Sequence, residues 1–216
     1  MLPAAVGGRG RRPRDDGVRL TAFRHAAYDS PWWAFPSSRS GRFHRARNQT
    51  VQYLSLHPLG PAAELLRHNV GPTGDPDEVV LNLWSATLEV DPIRVDFDDC
   101  AAYGLSADEL VGQDYAPTQA LADAVRESGA DAMTVPSAAL PGTYNLILFG
   151  IRVLNPFLRQ PLTPEEVPTG HLTDAGRAPA EVAAHVRWFG APHTAAEQWK
   201  TTGTYDLFDD PIATRW

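Results

Sequence analysis

In the first 150 residues, strand-type segments outnumber helical ones and do not alternate with them. VRLTAFR, TVQYLSL, DEVVLNLWSATLEV, IRVDF, DAMTVPS and NLILFG carry the β-branched and aromatic content of strands. Two segments have a strong helical period. PAAELLRHN has Pro61 at its start and Gly71 as its stop; DYAPTQALADAVRESG has Pro117 near its start and Gly129 at its end. A doubly wound parallel sheet needs helices regularly placed between strands. The pattern here predicts an α+β fold.

Within TVQYLSL, strand alternation puts Val51, Tyr53 and Ser55 on one face and Gln52, Leu54 and Leu56 on the other. On the following helix Ala62, Leu65, Leu66 and Asn69 fall on one side, and Glu64, in the first turn, falls nearly opposite. AAYDSPWWAFPSSRSGRFH reads as a long loop with aromatic anchors. From Leu154 the composition changes. Prolines at 156, 161, 164 and 168 mark a loop, PAEVAAHVRW reads as a helix, and TTGTYDLFDDPIATRW has no clear period. The expected organisation is a flexible Arg-rich arm over 1–18, a folded domain over 19–153 and an extension over 154–216.

Several chemistries are unsupported. The net charge of −7 and pI near 5.4 make a broad nucleic-acid-binding face an unexpected feature. The single Cys100 allows no internal disulfide and fits a reducing compartment; the preceding Asp98 and Asp99 oppose its ionisation. The arginines of the N-terminus precede no apolar run of the secretory kind, and no segment has the length of a membrane span. These features suggest a cytoplasmic protein. There is no P-loop, GxGxxG, GxSxG or HExxH, and the seven histidines are scattered. No metal site is expected.

Five blocks then stand in order: Phe23-Arg24, SGRFH at 40–44, VQYLSL at 51–56, AAELL at 62–66, and DYAPTQALADAVRESGADAMTVPSAALPGTYNLILF. Arg42, Tyr53 and Glu64 are evenly spaced, eleven residues apart. Together the blocks resemble the RES-domain family, whose name abbreviates Arg, Glu and Ser. By position these are Arg42, Glu64 and Ser137, with Arg24 and Tyr53 as companion polar residues. Where the family often carries an amide or aromatic–amide pair after Gly-Arg, this chain has Phe43-His44.

The resemblance implies a fold similar to ADP-ribosyltransferase toxins, a split antiparallel sheet with flanking helices. It also implies destruction of NAD+ as substrate, with no separate cofactor, by a type II toxin whose partner is an Xre-type helix-turn-helix antitoxin. The residue types suit that chemistry. Nicotinamide leaves a cationic centre as a neutral group and needs no proton from an acid, unlike the leaving groups of ordinary glycosidases. One carboxylate, Glu64, can then steady the positive ribose. Arg24 and Arg42 can grip the pyrophosphate. Tyr53 can stack on the nicotinamide or bond a ribose hydroxyl, Ser137 can bond a ribose hydroxyl or Glu64, and Asn145 can support the site from behind. The acceptor stays open between water and phosphate. Transfer of ADP-ribose to a protein and a non-catalytic interaction module are the alternatives. Nothing in the sequence demands a homo-oligomer.

Overall fold

Eight residues of the first strand, β1 (Val18–His25), pair antiparallel along their whole length with β3 (Leu83–Val90). The second strand, β2 (Val51–Ser55), does the same with β6 (Tyr144–Phe149), which also pairs with β5 (Ala132–Pro136). These two blocks meet at one register pair, Phe23 opposite Ser55. The result is a seven-stranded sheet in the order β4-β5-β6-β2-β1-β3-β7, divided between β1 and β2. This is the split α+β architecture expected above. The computed structural model describes residues 18–26, 36–47, 49–76, 79–80, 82–150, 158–161 and 180–208. The Arg-rich arm, the aromatic stretch 27–35 and most of the proline-rich loop lie outside the described residues.

Three segments differ from expectation. IRVDF contributes only the two-residue β4 (Ile93–Arg94), which pairs parallel with β5. Asp96 then caps a 3-10 helix over Phe97–Tyr103, in a capping box closed by Asp99. Residues Leu158–Pro161 form β7, not loop; they pair with β3 at the sheet edge, where a proline is tolerated. PAEVAAHVRW makes only a short 3-10 helix, Ala180–Ala184. Its Val182 and Val186 are anchored by burial beside Leu140, so packing and not helical period governs that stretch.

Helix α1 (Gly60–Asn69) and α3 (Ala116–Glu127) form where read, each with proline at its first positions, but α1 buries Ala62, Ala63, Leu66 and Arg67, while Leu65 is half-buried and Asn69 exposed. The expectations above omit α2 (Ala107–Val111) and α4 (Thr194–Thr202). One core joins Phe43, Phe97, Leu110, Leu121, Met133 and Ile147 beneath α2, α3 and α4. Cys100 belongs to it, and burial with Asp96 and Asp99 nearby pushes its thiol up to about 12. A second core packs α1 against Leu83, Leu140 and Val182. Among the described residues no helix is long and apolar enough to cross a membrane.

Candidate functional site

Where β1 and β2 diverge, a cleft of about 490 Å³ opens. Its walls include Arg24 of β1, Tyr53 and Ser55 of β2, Arg42, Glu64 and Arg67 of α1, Tyr115 and Asn145 of β6. Five of the six residues expected to form a site therefore share one cavity.

Arg42 is held by backbone. Its Nη1 donates to the carbonyls of Gly112 (2.6 Å) and Leu110 (3.4 Å), the end of α2, where carbonyls lack helical partners. The guanidinium also lies over the Tyr115 ring at 4.9 Å. Burial pulls its pKa below the ordinary arginine value, while Tyr115 and Glu64 oppose that shift.

The loop carrying Arg42 is clamped from both sides. From α3, Thr118 Oγ1 donates to the Arg42 carbonyl (2.7 Å), Gln119 to that of Gly41 (2.9 Å) and Arg126 to that of Phe43 (2.6 Å). From β2, Tyr53 Oη accepts the Phe43 N–H (3.0 Å) and reaches His44 Nδ1 (2.8 Å). His44 Nε2 donates to the Arg39 carbonyl (3.0 Å), which leaves Nδ1 to accept the tyrosine proton. Burial keeps His44 neutral by lowering its pKa, and burial raises that of Tyr53. The phenol proton and one lone pair are thus committed within the protein. The ring of Tyr53, more than its hydroxyl, is what a ligand meets.

Gly41 fits this clamp because a Cβ would lie 2.5 Å from His44 Cε1 and 2.8 Å from Tyr53 Oη. The departure at Phe43-His44 has a physical content. Phe43 is a 2 % exposed core plug, and His44 locks the strand tyrosine to the loop.

Glu64 stands at the fifth residue of α1, one residue later than expected and just past the first turn, because the helix begins at Gly60. Its carboxylate is partly exposed and lies 3.5 Å from His68. Asn145 pairs across β6 and β2 with Ser55, which pairs in turn with Phe23. Arg24 Nη1 donates to Gln52 Oε1.

Ser137 is not among the residues lining the cleft. It is 1 % exposed, and its Oγ accepts the N–H groups of Ala139 (3.3 Å) and Leu140 (3.2 Å). That turn presents the Ala138 carbonyl to Arg67 Nη1, so Ser137 reaches the cleft through its neighbour. Its own carbonyl accepts from His193 Nε2 (2.9 Å), while His193 Nδ1 caps α4 by accepting the Ala196 N–H (3.2 Å). Burial drives the His193 pKa down to about 4.

Two arginines were missed by the sequence reading. Arg67 on α1 lines the cleft; Arg187 donates to the carbonyls of Val111 and Ala191 (3.0 Å). Burial, then the charges of Arg67 and Arg42, lower the Arg187 pKa to about 10. Among the described residues no group of three or more His, Cys, Asp or Glu is placed to hold a metal.

A family model described as RES domain matches residues 17–169. A curated protein of Mycobacterium tuberculosis named "Probable NAD(+) phosphorylase" is 34 % identical over 117 residues, 54 % of this chain and 56 % of that protein. The match thus spans little more than half the length of that relative. A chain in the crystal structure of the M. tuberculosis MbcT–MbcA toxin–antitoxin complex aligns with a TM-score of 0.53 at 20 % identity, covering 69 % of this chain and 87 % of that one. That likeness is one of fold.

Proposed function

The chain belongs to the RES domain family, and on that premise we propose that it is an NAD+-consuming toxin that releases nicotinamide by phosphorolysis. The observation that carries this reading is the shared cleft. Arg42, Tyr53 and Glu64 come from a loop, a strand and a helix, yet all line one cavity. A cationic dinucleotide ribose, an aromatic leaving group and a pyrophosphate find there a carboxylate, a tyrosine ring and guanidiniums.

In the step itself, an oxygen lone pair of inorganic phosphate forms a bond to the ribose C1′. The C1′–N bond breaks, and its electron pair returns to the nicotinamide nitrogen, which leaves neutral. Glu64 stabilises the positive charge that builds on the ribose as the bond stretches. The backbone-anchored Arg42 orients a pyrophosphate oxygen without having to reorganise. Arg24 assists it, Tyr53 packs on the nicotinamide ring, Ser137 acts by shaping the turn beside Arg67, and Asn145 supports the wall opposite Ser55. NAD+ is substrate, and no separate cofactor takes part. Phosphate is preferred to water as acceptor because the 34 % identical relative is named a phosphorylase.

The neighbouring fold was solved as a toxin–antitoxin complex, which supports a protein antitoxin for this chain. The Xre helix-turn-helix type of that partner, and a cytoplasmic setting for both, are our own reading from the family resemblance. Such a partner is expected to present carboxylates to the arginine-lined cleft. The test is nicotinamide release from NAD+ by purified protein, with and without phosphate, beside Glu64→Gln. Release that needs phosphate and falls roughly 10²–10³-fold in the variant supports the reading. Folded wild-type protein that releases none overturns it, and label appearing on protein from tagged NAD+ would replace phosphorolysis with transfer.

A further inference from the structure

Arg67 is a buried charged residue, at 3 % exposure. Its hydrogen bonding is incomplete. Nη1 donates to the Ala138 carbonyl, and the Phe189 ring covers the guanidinium at 4.4 Å. Nε and Nη2 have no partner. Buried charged donors are strongly unfavourable unless an acceptor meets them, and native proteins supply one. These two N–H groups lie on the same edge of the guanidinium, in the fork geometry that matches two oxygens of one anion.

The surroundings select the anion. Arg67 lies near enough to Arg42 and Arg187 to help lower the pKa of both. The nearby carboxylates that offset the three are Glu64 and Asp108. Asp108 is occupied by Lys200 (2.9 Å), and Glu64 stands beside His68. An excess of positive charge at a buried fork favours an oxyanion that carries more than one charge. The turn behind it is fixed, because Ser137 holds Ala139 and Leu140 and so aims the Ala138 carbonyl at Nη1. The site is therefore built before any ligand arrives.

We infer that the Nε–Nη2 edge of Arg67 is a phosphate-oxyanion site in the wall of the cleft. That the oxyanion belongs to the reaction rests on the NAD+ reading above; the anion site itself does not. Two sources share the chemistry: the attacking inorganic phosphate and the pyrophosphate of the dinucleotide.

The experiment titrates wild type, Arg67→Lys and Arg67→Gln with inorganic phosphate and, separately, with pyrophosphate, by calorimetry at constant ionic strength. Nicotinamide release is measured in parallel. Wild type is expected to bind at least one of the two, at least tenfold more tightly than Arg67→Gln, with Arg67→Lys between. A matching rise in KM for phosphate alone assigns the nucleophile; a rise for NAD+ alone assigns the pyrophosphate. Variants that fold and bind both anions as wild type does would overturn the site. Arg67-dependent binding without any nicotinamide release keeps the site and removes the enzyme reading. Should both variants fail to fold, a wild-type crystal soaked in phosphate decides. A tetrahedral ion on Nε and Nη2 supports the site; a water molecule or the Glu64 carboxylate in its place overturns it.

Discussion

Arg42 and Arg187, far apart in sequence, donate to adjacent carbonyls at one helix end, Arg42 to Gly112 and Arg187 to Val111. The five-residue α2 thereby holds two guanidiniums that repel one another. The carbonyls left bare by a short helix absorb part of that repulsion.

Replacing Arg42 by lysine keeps the charge but loses the planar guanidinium whose Nη1 reaches the carbonyls of Leu110 and Gly112 and whose plane lies over Tyr115. Arg42→Lys should lower kcat/KM for nicotinamide release roughly ten- to a hundredfold, the value of about 1.5–3 kcal/mol for a charge-assisted bond. Steady-state kinetics over a range of NAD+ concentrations provides the check. A variant within twofold of wild type would mean that only the charge matters.

Tyr53→Phe keeps the ring and deletes the hydroxyl that ties Phe43 and His44 to β2. Leaving those partners unsatisfied should destabilise the protein by about 1–3 kcal/mol. In a chain of this size that lowers Tm by roughly 2–4 °C per kcal/mol. Differential scanning calorimetry reads the stability, and nicotinamide release should also fall as the Arg42 loop loosens.

Gly41→Ala drives a methyl group against His44 and the same hydroxyl. Overpacking of this kind costs about 1–3 kcal/mol. In the double variant Gly41→Ala with Tyr53→Phe, removing Oη relieves part of the clash. The two losses should therefore fall short of additivity by at least about 0.5 kcal/mol in a denaturation cycle. Strict additivity would show that Tyr53 does not limit the space at Gly41.

His193 is buried and neutral, with a pKa near 4 against an ordinary 6.5. The unfolded chain binds its proton more readily than the folded one. Stability from this residue is thus complete above pH 6.5 and lost as pH falls toward 4. The integrated loss is about 3 kcal/mol, at 1.36 kcal/mol per pH unit. Urea midpoints measured from pH 7 to pH 4 should fall steeply in wild type and less in His193→Gln, whose amide can still cap α4.

Elements with a strong period and a proline at the start, α1 and α3, were legible, as were the paired strands β2, β5 and β6. The shared position of Arg24, Arg42, Tyr53, Glu64 and Asn145 followed from the family resemblance, because no local pattern reports a cleft between β1 and β2. The helix α2 escaped notice for its length, although the Ser106–Glu109 capping box announces it. Capping explains α4 too, but through His193, a residue type not read as a helix start. Arg67 was illegible for another reason. An arginine on an amphipathic helix reads as solvated, and Phe189, from the distant end of the described chain, covers it. Ser137 is a residue whose importance the family name carries, while its hydroxyl serves a turn and its neighbour's carbonyl touches the cleft arginine.

Phe189 and His193 both lie past residue 169, where similarity to the family ends. Yet Phe189 roofs Arg67, Arg187 feels the charges of Arg67 and Arg42, and His193 braces the turn of Ser137. The boundary that homology would draw and the boundary that physics draws are therefore different. Cutting the protein at the former would not isolate a minimal domain; it would remove the back wall from a shared interior. Here the part of the chain that sequence comparison treats as an appendage is structurally constitutive.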